Sequence, residues 1–282
     1  MTRKLAITLF MLCIVIPTFL GIGYALSVST GLVGLGNAEA HFTTAHWARM
    51  FNEGRLVQSI LYTLLLAGTA IAAAVGIALV LLKILFPRLN NGVLPWFYLI
   101  PLGIPPIVAA FFGFLILANT GFVARFLSVV HLVHDPSDFP VLINDTLGLG
   151  VWLTHVFLAF PFFFLLFLAS AQSQKMKVLQ EASTTLGATS NYFMKRVIRP
   201  LVVRQNAPLI VIWFVFVLGT YEVPLLLGAQ KIRPVALVII DKIRGYSLSS
   251  IPVGYAMSAF YALFILLIAY LLVRLINKRY AA

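Results

Sequence analysis

Charge is what this sequence has least of. Its 282 residues include 20 Lys and Arg and 8 Asp and Glu, 10% of the chain, where an ordinary soluble domain carries about a quarter. So few polar groups cannot cover the surface of a soluble protein this long; with 61% apolar residues and a mean hydropathy of +1.02, lipid must cover it. Cysteine is nearly absent. Cys13 is the single one and lies in an apolar run, so an internal disulfide and a thiolate metal site are both excluded. There is also no Gly-rich phosphate loop ending in Gly-Lys-Ser/Thr, so this chain should not hydrolyse nucleotide itself. No Ser-His-Asp or Cys-His arrangement has a catalytic context. His131 and His134 lie near Asp135 and Asp138, but zinc needs three or four converging ligands, and a solvated loop is the expectation here. The formal charge of +12 comes in short blocks between apolar stretches. A nucleic-acid binder needs a continuous basic face, so none is expected as partner.

What is present is length of apolar run. A helix crossing the hydrocarbon core needs about 20 residues at 1.5 Å each. Six segments qualify, at about 5–26, 56–86, 92–117, 147–170, 208–227 and 253–276. They predict an all-α polytopic membrane protein forming one transmembrane domain over 1–282, with no room for a soluble catalytic domain. Arg3 and Lys4 before the first run also fit a signal peptide, but the run is long for one and five more spans follow. The third segment carries Pro95, Pro101, Pro105 and Pro106, which remove backbone donors. The carbonyls they free should face protein or a watery path rather than lipid.

Counting Lys and Arg sets orientation. With the N-terminus inside, 13 fall on the cytoplasmic side and 7 outside, which favours both termini in the cytoplasm. The fifth loop goes against the trend, with Lys231, Arg233, Lys242 and Arg244 all external. In the first outer loop Thr44 could cap a short helix with Trp47, Met50 and Phe51 on one face. That helix would lie either in the membrane interface or against the protein's own outer surface.

The inner loop between spans four and five, 171–206, is too long for a turn. Lys177 to Leu186 reads as helix, with Val178, Ala182 and Leu186 on one face, and Gly187 is placed to end it with positive φ. Thr189 or Ser190 can cap a second helix, in which Phe193, Val197 and Leu201 recur every four residues until Pro200 interrupts. A knob of this kind either lies on the protein's own helices or presents an apolar stripe to a partner.

These residues carry a resemblance. Glu181-Ala182-Ser183, three residues, Gly187, nine residues, then Val197-Ile198-Arg199-Pro200 resembles the EAA signature of ABC-importer permease subunits. That signature reads Glu-Ala-Ala, three residues, Gly, nine residues, Ile-x-Leu-Pro. Ser183 stands for the second Ala, Val197 for Ile and Arg199 for Leu. Pro105-Pro106-Ile107-Val108 with Thr120-Gly121-Phe122, and Thr220 to Gly228, resemble segments of the spermidine/putrescine, iron, thiamine and phosphonate permease group. The resemblance implies a type I importer fold with a cytoplasmic coupling helix, in the bacterial inner membrane. Glu181, Ala182, Ser183, Gly187, Phe193, Val197 and Pro200 would then form the coupling contact. It also implies two ATPase subunits that bind ATP-Mg, a second permease subunit (a homologue rather than an identical copy), and an external solute-binding protein. This chain would hold no cofactor.

Two other classes fit less well. A secondary transporter needs intramembrane carboxylates or histidines for its coupling ions and often shows internal repeats; the spans offer Glu222, and no repeat is visible. A membrane-embedded enzyme lacks any catalytic constellation. Glu222, with Tyr221 beside it and Pro224 beyond, would therefore line a translocation path for a small solute or, paired with Lys231 or Arg233, pin an outer gate.

Overall fold

The computed structural model describes residues 3–34, 40–85, 103–173, 176–229 and 231–280, and none of these forms a strand. Five stretches are long and apolar enough to cross a membrane: Thr8–Ser29, Arg55–Leu85, Pro106–Val129, Leu149–Ser173 and Leu248–Ile276. Ser190–Gln205 and Ala207–Gly219, bent by 58° at their junction, make a sixth if counted as one span. The first part of the expected third span, with Pro95 and Pro101, lies outside the described residues. Its described part is the helix Pro106–Leu117. Pro106 opens that helix at a position where a missing N–H leaves no bond unmade.

Pro161 lies inside the continuous helix Leu149–Ser173, whereas two other prolines are accommodated by local rewinding. Met11–Val15 is a π-helical turn whose last bond runs from the Ile16 N–H to the Met11 carbonyl, just ahead of Pro17. The same device recurs at Met194–Ile198, where the Arg199 N–H reaches the Met194 carbonyl just ahead of Pro200. A π turn shifts bonding from i→i−4 to i→i−5, which carries the helix past a residue that has no N–H to give. Pro200 therefore does not interrupt its helix, contrary to expectation.

The chain divides into two compact units. One comprises Met1–Leu61 and Pro234–Leu267. Its core gathers Met50, Leu56, Val235, Ile239, Val253, Ala256, Met257 and Tyr261. Met50 comes from the short helix Ala45–Asn52, whose apolar face packs on the protein itself. Trp47 lines that core and Phe51 meets Phe260 edge-on at 5.4 Å. Of the two placements open for this helix, packing on its own unit is the one found. Thr44 sits at the cap position without a side-chain bond, and the hydroxyl of Thr43 accepts from the Ala45 N–H at 3.1 Å instead.

The fifth loop of this unit is also helical, Val235–Arg244. Lys242 there donates to Glu53 at 2.7 Å. That pairing explains part of the basic excess in this loop and places the first and fifth loops on the same side of the chain. Both side chains are about a third exposed, so the pair contributes little stability, about 0–1 kcal/mol; burial of the apolar face holds the helix in place.

The other unit comprises Tyr62–Arg233 and Ile268–Ala282. Leu66, Ala110, Val151, Val223 and Leu227 form its core with Ile143. Gly113 permits a close approach in it: a Cβ there would stand 2.9 Å from the Thr154 hydroxyl and 3.2 Å from Leu227. Small residues at such crossings let helices meet where burial from water gives no drive. The Asn144 N–H donates to the Leu227 carbonyl at 2.9 Å, so the third loop and the far end of span five share a side. In the third loop Asp138 accepts from the backbone N–H groups of His134 and Asp135 at 3.3 and 3.0 Å, tying that turn together.

Met50 has no exposed surface and anchors the short helix Ala45–Asn52. Met50→Ala is expected to lower stability by about 2–5 kcal/mol, the usual cost of emptying a buried Met site. Thermal melting of the purified protein in detergent measures it, and an unchanged midpoint contradicts the packing account.

Candidate functional site

Two breaks in the fifth span position the residues of interest. In a continuous helix each proline ring would strike the carbonyl four residues back. For Pro208 that is Arg204, and the helix breaks at Asn206; for Pro224 it is Thr220, and the break falls at Thr220–Tyr221. Span five is therefore not one helix over 208–227, as its apolar run implies. It is Ala207–Gly219 followed by a separate turn, Glu222–Leu227.

The break at Asn206 leads to the loop. Its first helix is Met176–Thr185, and Gly187 has φ of +85°. The Gly187 N–H donates to the Thr184 carbonyl and the Ala188 N–H to the Ser183 carbonyl, both at 3.0 Å. This pair of bonds is the Schellman ending, which satisfies the orphan carbonyls of a last turn and needs a left-handed residue. Thr189 then caps the second helix, its hydroxyl accepting from the Tyr192 N–H at 3.3 Å. Gln180 donates to Ser190 at 2.9 Å and ties the two arms together.

The faces of the two arms differ in what they bury. Along the second arm Phe193, Met194, Ile198 and Val202 are buried, while Val197 and Leu201 are each 36% exposed. The expected stripe of Phe193, Val197 and Leu201 is thus displaced by the π turn, which rotates the face it precedes. Pro200 is also exposed. On the first arm Val178 and Leu179 are exposed, and Leu186 at the tip is 88% exposed. Glu181, Ala182 and Gly187 are exposed and Ser183 is half-buried. The hairpin does not lay its apolar edge on its own unit. A Cβ at Gly187 would meet nothing within 4 Å, so within this chain the backbone angle alone calls for glycine.

The break at Thr220–Tyr221 is held from the fourth-span helix. His155, 2% exposed, has Nδ1 2.8 Å from the Val151 carbonyl and Nε2 2.9 Å from the Thr220 hydroxyl. A carbonyl only accepts, so Nδ1 carries the proton, and Nε2 of the neutral ring accepts from Thr220. The same hydroxyl stands 2.9 Å from the Val217 carbonyl, so its one proton is shared between two acceptors. Glu222 follows at the start of the new turn and accepts from the Tyr221 N–H at 3.3 Å. A carboxylate at the first position of a helix is favoured by the unpaired N–H groups there. Tyr221 and Glu222 are half-buried and Pro224 is buried. Pro224 sits in a first turn, where its missing N–H frees no carbonyl, so the polar character of the break comes from Thr220 and Glu222.

Charge counting in the spans had singled out Glu222 and passed over His155. A histidine inside an apolar run was the available signal. Ser170 and Asn206, also buried and joined at 2.8 Å, gave none, because short polar residues at span ends are commonplace.

Residues 85–282 match the family model described as the binding-protein-dependent transport system inner membrane component. No curated protein sequence gives a significant match. Among solved structures the chain is similar to a bacterial ABC transporter involved in the import of the acidic polysaccharide alginate, with TM-score 0.68 and 17% identity over 97% of this chain and 92% of that one. It is also similar to the bacterial alginate ABC transporter in complex with an alginate pentasaccharide-bound periplasmic protein. There the TM-score is 0.63 and the identity 18%, over 98% of this chain and 91% of that one. At such identity the two structures establish the fold. With most of its length matched by the family model, the chain belongs to the binding-protein-dependent inner-membrane transport components: it is a multi-pass, non-catalytic permease subunit of an ABC importer.

Proposed function

We propose that this permease couples solute import to ATP hydrolysis through the hairpin of 171–206, which docks into a cleft on a cytoplasmic ATPase subunit. The observation that carries this is the apolar edge of Val178, Leu179 and Leu186. It is exposed on the same arm as Glu181, Ala182 and Gly187 of the EAA-like signature and stands outside the membrane-length helices. An exposed apolar edge of this kind fits a protein partner. Glu181, Ala182, Ser183 and Gly187 sit on the first arm and at the tip, and Phe193, Val197 and Pro200 on the second. The partners are two ATPase subunits holding ATP-Mg, a second and homologous permease subunit, and an external binding protein. Both termini lie in the cytoplasm of a bacterial inner-membrane protein.

ATP bound between the ATPase subunits favours one of two arrangements of the membrane helices, and such a ligand shifts the equilibrium by its difference in affinity for the two. The hairpin transmits that preference to the fourth and fifth spans, opening the path outward to receive solute. Along the path, Glu222 and Tyr221 face the solute at the outer break of span five. A carboxylate with an aromatic ring beside it suits a small cation, the polyamine, iron or thiamine side of the resembling group rather than phosphonate. An acidic polysaccharide, the cargo of the two structural neighbours, would meet a like charge there.

Three outcomes are expected. Gly187→Leu, strained at positive φ by about 1–2 kcal/mol and bulky at the tip, should insert normally but lose the ATPase on co-purification; uptake at the wild-type level overturns the docking. Cysteines introduced at Ser137 and Ser173 should react with an impermeant reagent from outside and inside respectively, and external labelling of position 173 reverses the orientation. Glu222→Gln should weaken uptake while stimulation of ATP hydrolysis by the loaded binding protein persists. A rise in basal hydrolysis would instead assign Glu222 to the gate.

A further inference from the structure

The loop of 171–206 is closed at its base by the two residues that bound it. Ser170 lies near the inner end of the fourth-span helix Leu149–Ser173, and Asn206 is the single residue between the second arm and Ala207–Gly219. The Asn206 amide has two protons, and the structure uses both. One goes to the Ser170 hydroxyl at 2.8 Å and the other to the Val202 carbonyl at 2.7 Å. Ser170 is 8% exposed and Asn206 5%, so water does not compete for these bonds.

The need for such a bond follows from the break. Asn206 ends one helix and begins the next, its N–H donating back to Val202 and its carbonyl accepting from the Ile210 N–H. The two helices meet at 58° through this one residue. Its two soft dihedrals would let the arm swing unless something fixes them. Ile198 and Val202 bury apolar surface nearby, but apolar contact is non-directional and tolerates sliding. A buried hydrogen bond is directional, weakening steeply away from linear geometry. The amide therefore fixes both the arm's last turn and its angle to span four.

We propose that Ser170 and Asn206 form a clasp that makes the base of the coupling loop rigid. A displacement at the hairpin tip is then delivered to spans four and five together instead of being absorbed by bending at Asn206. Both are positioning residues: they touch neither solute nor nucleotide. The inference rests on the hairpin being the coupling element, and its test separates the two ideas.

Spin labels at Lys195 on the arm and Ile212 on span five, both exposed, report the angle as a distance. The measurement uses the full transporter with its ATPase subunits in lipid vesicles, with and without ATP and vanadate. Ser170→Ala removes only the crossing bond and leaves the bond to Val202. Ser170→Thr keeps a hydroxyl, and Asn206→Leu, of similar volume, breaks the clasp from the other side. The wild type and Ser170→Thr should give one narrow distance that nucleotide leaves unchanged. Ser170→Ala and Asn206→Leu should give a broad distribution that nucleotide alters, because the freed hinge then absorbs the displacement. A narrow, unchanged distance in both clasp-broken variants overturns the proposal, as does a wild-type distance that shifts with nucleotide. If the wild type is narrow and the broken variants broad, but nucleotide alters none of them, the clasp stands and the coupling reading fails.

Discussion

In lipid every backbone N–H and C=O must find its partner within the protein, and proline is the residue that cannot supply one. That single constraint organises this permease. Pro161 sits within the helix Leu149–Ser173; at Pro17, Pro200, Pro208 and Pro224 the backbone either rewinds or breaks. Pro17 and Pro200 follow π turns that shift bonding by one residue and keep the helix going. Pro208 and Pro224 instead follow helix breaks two and three to four residues back, at Asn206 and at Thr220–Tyr221. The second arm, the fifth span and the turn Glu222–Leu227 are thus three pieces of what would otherwise be one helix.

Each break exposes backbone that apolar neighbours cannot satisfy, and each is met by buried polar side chains. At the first break the Asn206 amide serves its own helix and Ser170; at the second the Thr220 hydroxyl is shared between Val217 and His155. Both partners come from the fourth-span helix, which therefore braces span five at two levels. Buried polar groups without partners are costly, so these few bonds hold the breaks to one geometry. The fourth span is suited to this by its packing: Phe163, Phe164, Phe167 and Leu168 have almost no exposed surface.

The hairpin follows a different logic. Its ends are completed locally, by the Schellman bonds at Gly187 and the Thr189 cap, and its tip does not rely on the rest of the chain for packing. Among what it leaves exposed is an apolar edge of Val178, Leu179 and Leu186. A rigid element with a free apolar edge at one end and a braced hinge at the other has the properties that transmission of a movement requires.

Much of this was legible in the sequence. Long apolar runs with few charges admit one solvent, and their length fixes that they are helices spanning it. The loop hairpin was legible because its signals are local: an apolar period of four, a glycine at the turn, a threonine at the cap. The path of span five was not. The run 208–227 is long and apolar enough to read as one span despite Thr220-Tyr221-Glu222, and the steric conflict of Pro224 with the Thr220 carbonyl divides it. The buried face of the second arm was also hidden, since a π turn changes register without any mark in composition. His155, Thr220, Ser170 and Asn206 stood as isolated polar residues in sequence. Their partners lie 65 and 36 positions apart, and which polar groups meet across that distance was decided by helix packing alone, because a hydrogen bond acts only at contact.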